Sequence, residues 1–223
     1  MHQSNYLLLF IFSVNQYTQV LTERYDKLSK QSCCLSCGGA FAMATVKPGF
    51  VCVDLGCGKG HDVLRMATMA GAEGLAYGVD ISDGMIETAK KNAAIMGADN
   101  VRFLKSTLEE IKLDNAVADL VISNCTINHS LNQARVWKEI SRILKPGGSF
   151  VVSDIFAIEP VPDIYRNDPV SVSECWAGAE TKENYLRNIE AAGLADISVL
   201  EESAPYSKGE IVVASFTLKG IKP

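Results

Sequence analysis

A doubly wound α/β fold, with a mostly parallel sheet covered by helices on both faces, is predicted by three features of this 223-residue chain. Apolar runs of strand length alternate with segments of helical period, those runs are apolar on both faces, and a glycine-rich turn joins the first of them to a helix. Strands buried on both faces need a helix layer on each side, and the strand–helix alternation supplies it through βαβ units. With 48% apolar residues and a net charge of −5, the chain lies outside the range of intrinsic disorder. The mild acidity and the lack of a long Lys/Arg run argue against a surface that gathers nucleic acid or anionic lipid.

The elements follow in order. A helix over 16–30 leads into a Ser/Gly-rich loop, and strands are expected at 50–55, 75–80, 101–104, 118–123 and 149–156. Helices at 62–70, 83–96 and 132–144 alternate with them; in the last, Val136, Trp137, Ile140, Ile143 and Leu144 recur at helical spacing. Lys145-Pro146-Gly147-Gly148 supplies the breaker chemistry that ends it. Thr181 is placed to cap a helix over 183–192 that Gly193 stops, and two final strands, 197–200 and 211–218, form an antiparallel edge hairpin. The organisation is an N-terminal helical segment with a cysteine loop at 1–45, then one domain at 46–223. The apolar run Tyr6–Val14 has no Lys or Arg before it, since Arg24 is the first, and no small-residue cleavage site follows. That argues against a signal peptide, and the run is too short to span a bilayer, so a cytoplasmic protein is expected.

The sharpest motif is Val51-Cys-Val-Asp-Leu-Gly-Cys-Gly-Lys-Gly60: a strand, an acid at its carboxyl end, three alternating glycines, then a helix. Glycines there permit a tight turn and close approach of backbone to a ligand. Asp80, 20 residues after Gly60, ends the next strand and can accept hydrogen bonds from both hydroxyls of a ribose. A dinucleotide loop reads G-x-G-x-x-G, whereas this one reads G-x-G-x-G with Asp54 in front. A carboxylate repels a pyrophosphate and attracts an ammonium, which favours S-adenosylmethionine as the ligand.

Seven cysteines are many for such a chain, and an odd number cannot all pair with one another. Cys33, Cys34 and Cys37 cluster in a loop, Cys52 and Cys57 sit in or beside an apolar strand and read as core thiols, and Cys125 and Cys175 stand in polar contexts.

The segments VDLGCGKG, GVDIS and LKPGG resemble class I S-adenosylmethionine-dependent methyltransferases over roughly 51–218. That resemblance implies a Rossmann-like seven-stranded sheet, with Asp54, Gly56, Gly58 and Gly60 around the methionine part of the cofactor and Asp80 at its ribose. It further implies Ile81 and Met85 against one side of the adenine, Leu108 and Glu109 against the other, and Asn124 on the pocket floor. A closer likeness lies in Ile122-Ser-Asn-Cys-Thr-Ile-Asn128, VSDI and Ser173-Glu-Cys-Trp-Ala-Gly-Ala179, which are similar in order and spacing to the arsenite methyltransferases. It implies catalytic thiols at Cys33, Cys34, Cys125 and Cys175, with Cys34, Cys125 and Cys175 as ligands of trivalent arsenic. The choice among Cys33, Cys34 and Cys37 stays open at this stage. Soft thiolates suit a soft metalloid, and methyl transfer to its lone pair needs no base. The partners implied are arsenite or its thiol conjugate and a thiol reductant. Two other readings remain: methylation of a quinone or phenol, with His129, Glu174 or Asp154 as the base it would need, and a non-catalytic thiol protein that binds a metalloid.

Overall fold

The computed structural model describes residues 2–31 and 38–223, with side chains from residue 16 onward. Cys33, Cys34 and Cys37 lie outside the described residues.

Helix α1 spans His2–Ser29, longer than the predicted 16–30 because the apolar run before it is also helical. A short α2, Ala40–Met43, precedes the first strand. Then come β1 (Val51–Leu55), α3 (His61–Ala70), β2 (Leu75–Asp80), α4 (Asp83–Met96), β3 (Val101–Lys105) and β4 (Ala118–Asn124). After a single 3-10 turn at Ile127–His129 follow α5 (Gln133–Ile143) and β5 (Leu144–Ala157). The remainder is α6 (Asp163–Arg166), α7 (Pro169–Ser173), α8 (Lys182–Ala191), β6 (Ala195–Glu202), β7 (Tyr206–Lys208) and β8 (Ile211–Ile221).

The sheet order is β3-β2-β1-β4-β5-β8-β6. The first five strands are parallel, while β8 runs antiparallel to both β5 and β6. All seven predicted strands are present, and the expected C-terminal edge hairpin is formed by β6 and β8. The three-residue β7 adds an eighth strand on β8 beyond the end of β6. The breaker Lys145–Gly148 does end α5, but the chain re-enters the sheet at once, with a register shift opposite Ala118 and Leu120. The caps act as predicted where they were read: the Thr181 hydroxyl accepts from the Asn184 amide at the start of α8.

Side chains alternate across the sheet. Val53 and Leu55 join the core under α5 and α8, where Trp137 packs edge-on against Phe150 and Tyr185. Cys52 joins the opposite core with Val63, Leu64 and Met66 of α3. Tyr17 and Leu21 of α1, Val172 of α7, Cys175, Trp176 and Val213 form a third cluster. No helix among the described residues is long and apolar enough to cross a membrane.

Candidate active site

Strand order reverses between β1 and β4, so the turns leaving their carboxyl ends diverge and open a crevice, the usual ligand position of such sheets. A cavity of ≈ 1060 Å³ lies there, lined from β1 by Asp54, Gly56 and Gly58, from β2 by Asp80 and from β4 by Asn124. Ile81, Met85, Leu108, Glu109, Cys125 and Cys175 line it too. One cavity therefore gathers the residues assigned to the cofactor, except Gly60, and both described cysteines assigned to the acceptor. Gly60 instead caps α3, where a β-carbon would stand 2.9 Å from that of Ala89 and 3.1 Å from the Phe103 ring. Its smallness serves helix packing.

The glycine turn is held open by Asp80. One carboxylate oxygen accepts from the Gly58 amide and the other from the Ser82 amide, both at 2.9 Å. Each oxygen retains a lone pair for a ligand hydroxyl. Gly56 has φ of +74°, and a β-carbon on it would lie 2.2 Å from the Thr126 hydroxyl, so both backbone and space require glycine. Asp54 is buried, and its carboxyl is pushed well above the usual range by burial first, then by the charges of Asp62 and Asp80. A cradle of three carboxylates fits a ligand carrying an ammonium and a sulfonium, and it opposes one carrying phosphates.

The end of the cavity that carries Cys125 and Cys175 is built from loops. The Cys175 sulfur donates toward the Cys125 carbonyl oxygen at 3.6 Å and toward Asp154 Oδ1 at 3.8 Å. Both cysteines have left-handed backbone, φ +50° at Cys125 and +77° at Cys175. Outside glycine that conformation costs roughly 1–2 kcal/mol per residue and concentrates at functional sites. Cys52 and Cys57, by contrast, are buried thiols whose ionisation is opposed by burial, Cys52 being pushed up to about 12. They behave as core residues, although Cys57 also touches the cavity wall.

Several lining residues escaped sequence reading. Tyr17, Thr18, Leu21, Arg24, Tyr25 and Leu28 of α1 form one wall of the cavity. Spacings of four and three at Tyr17, Leu21, Tyr25 and Leu28 mark one helical face, a signal present in the sequence without any indication of what it faces. Asp26 ties α1 to the cofactor side by accepting from the Gly84 amide at 3.0 Å and from the Ser82 hydroxyl. Arg24 pairs with Glu174 at 3.4 Å, beside Cys175.

His129 lines the cavity with both ring nitrogens engaged: Nδ1 donates to the Val172 carbonyl at 3.2 Å, so Nε2 accepts from the Tyr25 hydroxyl at 2.7 Å. Burial pushes its pKa down to about 4. The imidazole is neutral in the fold yet takes a proton near its ordinary pH when unfolded. This histidine therefore contributes stability that is complete above about pH 6.5 and is lost as pH falls toward 4, on the order of 3 kcal/mol. The buried carboxylates titrate in the opposite sense, so the effect is read as a difference. Denaturant titrations between pH 4 and 7 should show wild type losing more stability than His129→Gln as pH falls; parallel curves would refute the buried neutral ring.

The fold and this cavity define an α/β transferase domain of the S-adenosylmethionine-dependent class. Residues 46–193 match the family model described as a methyltransferase domain. The chain belongs to that family. It is 33% identical over 199 residues to an arsenite methyltransferase of Halobacterium salinarum, covering 85% of this chain and 51% of that protein. Against the human arsenite methyltransferase it is 32% identical over 136 residues, 57% of this chain and 36% of the relative. The crystal structure of an arsenic(III) S-adenosylmethionine methyltransferase from Chlamydomonas reinhardtii superposes with a TM-score of 0.74 at 30% identity, covering 85% of this chain and 68% of that one. The chain thus spans about half or less of the length of these curated relatives.

Proposed function

We propose that this chain methylates trivalent arsenic held by cysteine thiolates, with S-adenosylmethionine as the methyl donor. The observation that carries the reading is the approach of Cys175 to Cys125, sulfur to carbonyl oxygen at 3.6 Å, on the wall of the cavity that also presents Asp54 and Asp80. The donor supplies a methyl group activated on a sulfonium, open to in-line displacement by the arsenic lone pair. The chain's part is placement: Asp54 and Asp80 hold the donor, Cys125 and Cys175 hold arsenic, and α1 covers both. Holding two reactants in line supplies most of what such a displacement needs. The third ligand in this reading is Cys34 or its loop neighbours Cys33 and Cys37, assigned by resemblance and outside the described residues. Thiols must lose their protons to bind, so arsenic affinity rises with pH until they are ionised. The reading also requires a reducing compartment, hence the cytoplasm, and a thiol reductant.

Methylation of a phenol or quinone needs a base, and the three candidates suit it poorly. His129 has both nitrogens engaged and a pKa near 4. Glu174 is paired with Arg24 and accepts from the Trp176 indole. Asp154 lies behind Cys175 and is not among the residues that line the cavity.

Reduced protein incubated with labelled S-adenosylmethionine, glutathione and arsenite should yield methylated arsenic, and should leave a panel of phenols and hydroquinones unlabelled. Label on an organic acceptor and none on arsenic would move the chain to the other reading. Arsenic retained without any methylated product would leave a binding protein.

A further inference from the structure

Cys125 and Cys175 come from segments 50 residues apart in sequence, Cys125 directly after β4 and Cys175 just after the short α7. Besides the His129–Val172 bond, those segments are joined by a buried polar cluster outside the cavity lining. Asn128, in the 3-10 turn three residues after Cys125, donates from its side-chain amide to Asp154 Oδ1 at 2.9 Å and to the Ile155 carbonyl at 2.7 Å. Its own amide oxygen accepts from Gln133 Nε2 at 2.9 Å. That same Gln133 nitrogen donates to the Gly178 carbonyl at 2.8 Å, three residues after Cys175. Gly178 lies directly on the Asn128 backbone, where a β-carbon would come within 1.8 Å of the carbonyl oxygen. Asp154 closes the circuit by reaching the Cys175 sulfur at 3.8 Å.

We infer that Asn128 and Gln133 are positioning residues for the acceptor thiols: this cluster sets the separation of Cys125 and Cys175 and holds both in left-handed backbone. Asn128 is fully buried, and Gln133 and Asp154 nearly so. Gln133 Oε1 and Asp154 Oδ2 are buried with no hydrogen-bond partner among the described residues. An apolar core would avoid those unmade bonds, so the polar cluster is poorly explained by stability alone. Directional hydrogen bonds fix relative position in a way that apolar contact does not, and a two-thiol chelate tolerates little change in its span. The inference takes its purpose from the arsenic–thiolate reading, but its test needs no turnover.

The test uses the full chain with Cys33, Cys34 and Cys37 replaced by serine, so that chelation of phenylarsine oxide reports on Cys125 and Cys175. In that background Gln133→Met, which keeps volume and removes both donated bonds, should weaken phenylarsine oxide binding at least tenfold. Binding of S-adenosylmethionine should stay within twofold. Asn128→Ser should weaken the chelate further; if that variant fails to fold, Gln133→Met alone decides. Unchanged phenylarsine oxide affinity would overturn the inference. So would parallel losses of arsenical and cofactor affinity, because these mark a general loosening, and so would a serine background that binds no arsenical. Wild type that binds phenylarsine oxide yet gives no methylated arsenic would refute the proposed function while the selective loss in Gln133→Met still upheld the positioning role.

Discussion

Cys175→Gly should abolish methyl transfer to arsenite while leaving the fold about as stable as wild type, and Cys175→Ala should abolish transfer and weaken the fold. The contrast follows from the backbone. At φ +77° any residue with a β-carbon is strained, and glycine is not. Glycine gains that relief and loses a small buried thiol plus some unfolded-state entropy, terms of similar size. Alanine keeps the strain and loses the thiol. The two variants should therefore differ by about 1 kcal/mol, roughly 2–4 °C in a domain of this size. Activity should fall at least a hundredfold in both, the order of loss that follows when a reactant is no longer held in place. Thermal denaturation and the arsenite assay read the two effects separately. Equal stability of the glycine and alanine variants would remove the strain argument. Retained activity in either would remove Cys175 from the acceptor site.

The left-handed cysteines also mark the boundary of what could be read from sequence. The sheet was legible because its strands are apolar runs with glycine or proline punctuation, and the donor loop because Asp54, three glycines and Asp80 occur within 27 residues. The pairing of Cys125 with Cys175 became an expectation only through resemblance, since nothing local to either cysteine points to the other. The short α6, α7 and β7 were missed because three to five residues carry no measurable period. Sequence also does not separate the roles of Gly60, because a glycine in such a loop looks the same whether it meets a cofactor or packs against a neighbouring helix. The α1 wall was missed for a related reason: an apolar face is visible in sequence, but the cavity it closes is made by segments far along the chain.

A second large effect is expected at Asp54, and it has the same form as the first: a residue kept for a ligand at the expense of the empty fold. The residue is 4% exposed, and its carboxyl pKa is raised by burial and by Asp62 and Asp80. In the free protein it therefore holds a proton to higher pH than an ordinary aspartate. A cationic group bound beside it would favour the ionised form, so binding releases that proton. Linkage then fixes the sign: affinity for S-adenosylmethionine should rise with pH through the raised pKa and level off above it. The same raised pKa makes ionised Asp54 a burden on the unliganded fold, because the folded state loses stability as pH climbs from the ordinary aspartate range through the raised value. Asp54→Asn keeps the shape and cannot ionise. It should weaken S-adenosylmethionine binding by about 2 kcal/mol or more, roughly thirtyfold, flatten the pH dependence, and be more stable than wild type near pH 8 without ligand. Calorimetry across pH in two buffers of different ionisation enthalpy checks the proton release, and thermal denaturation checks the stability. Binding within twofold of wild type, or a pH slope unchanged by the substitution, would show that the charge at Asp54 does not hold the donor, and the discrimination against phosphate ligands would then have to come from Asp62 and Asp80.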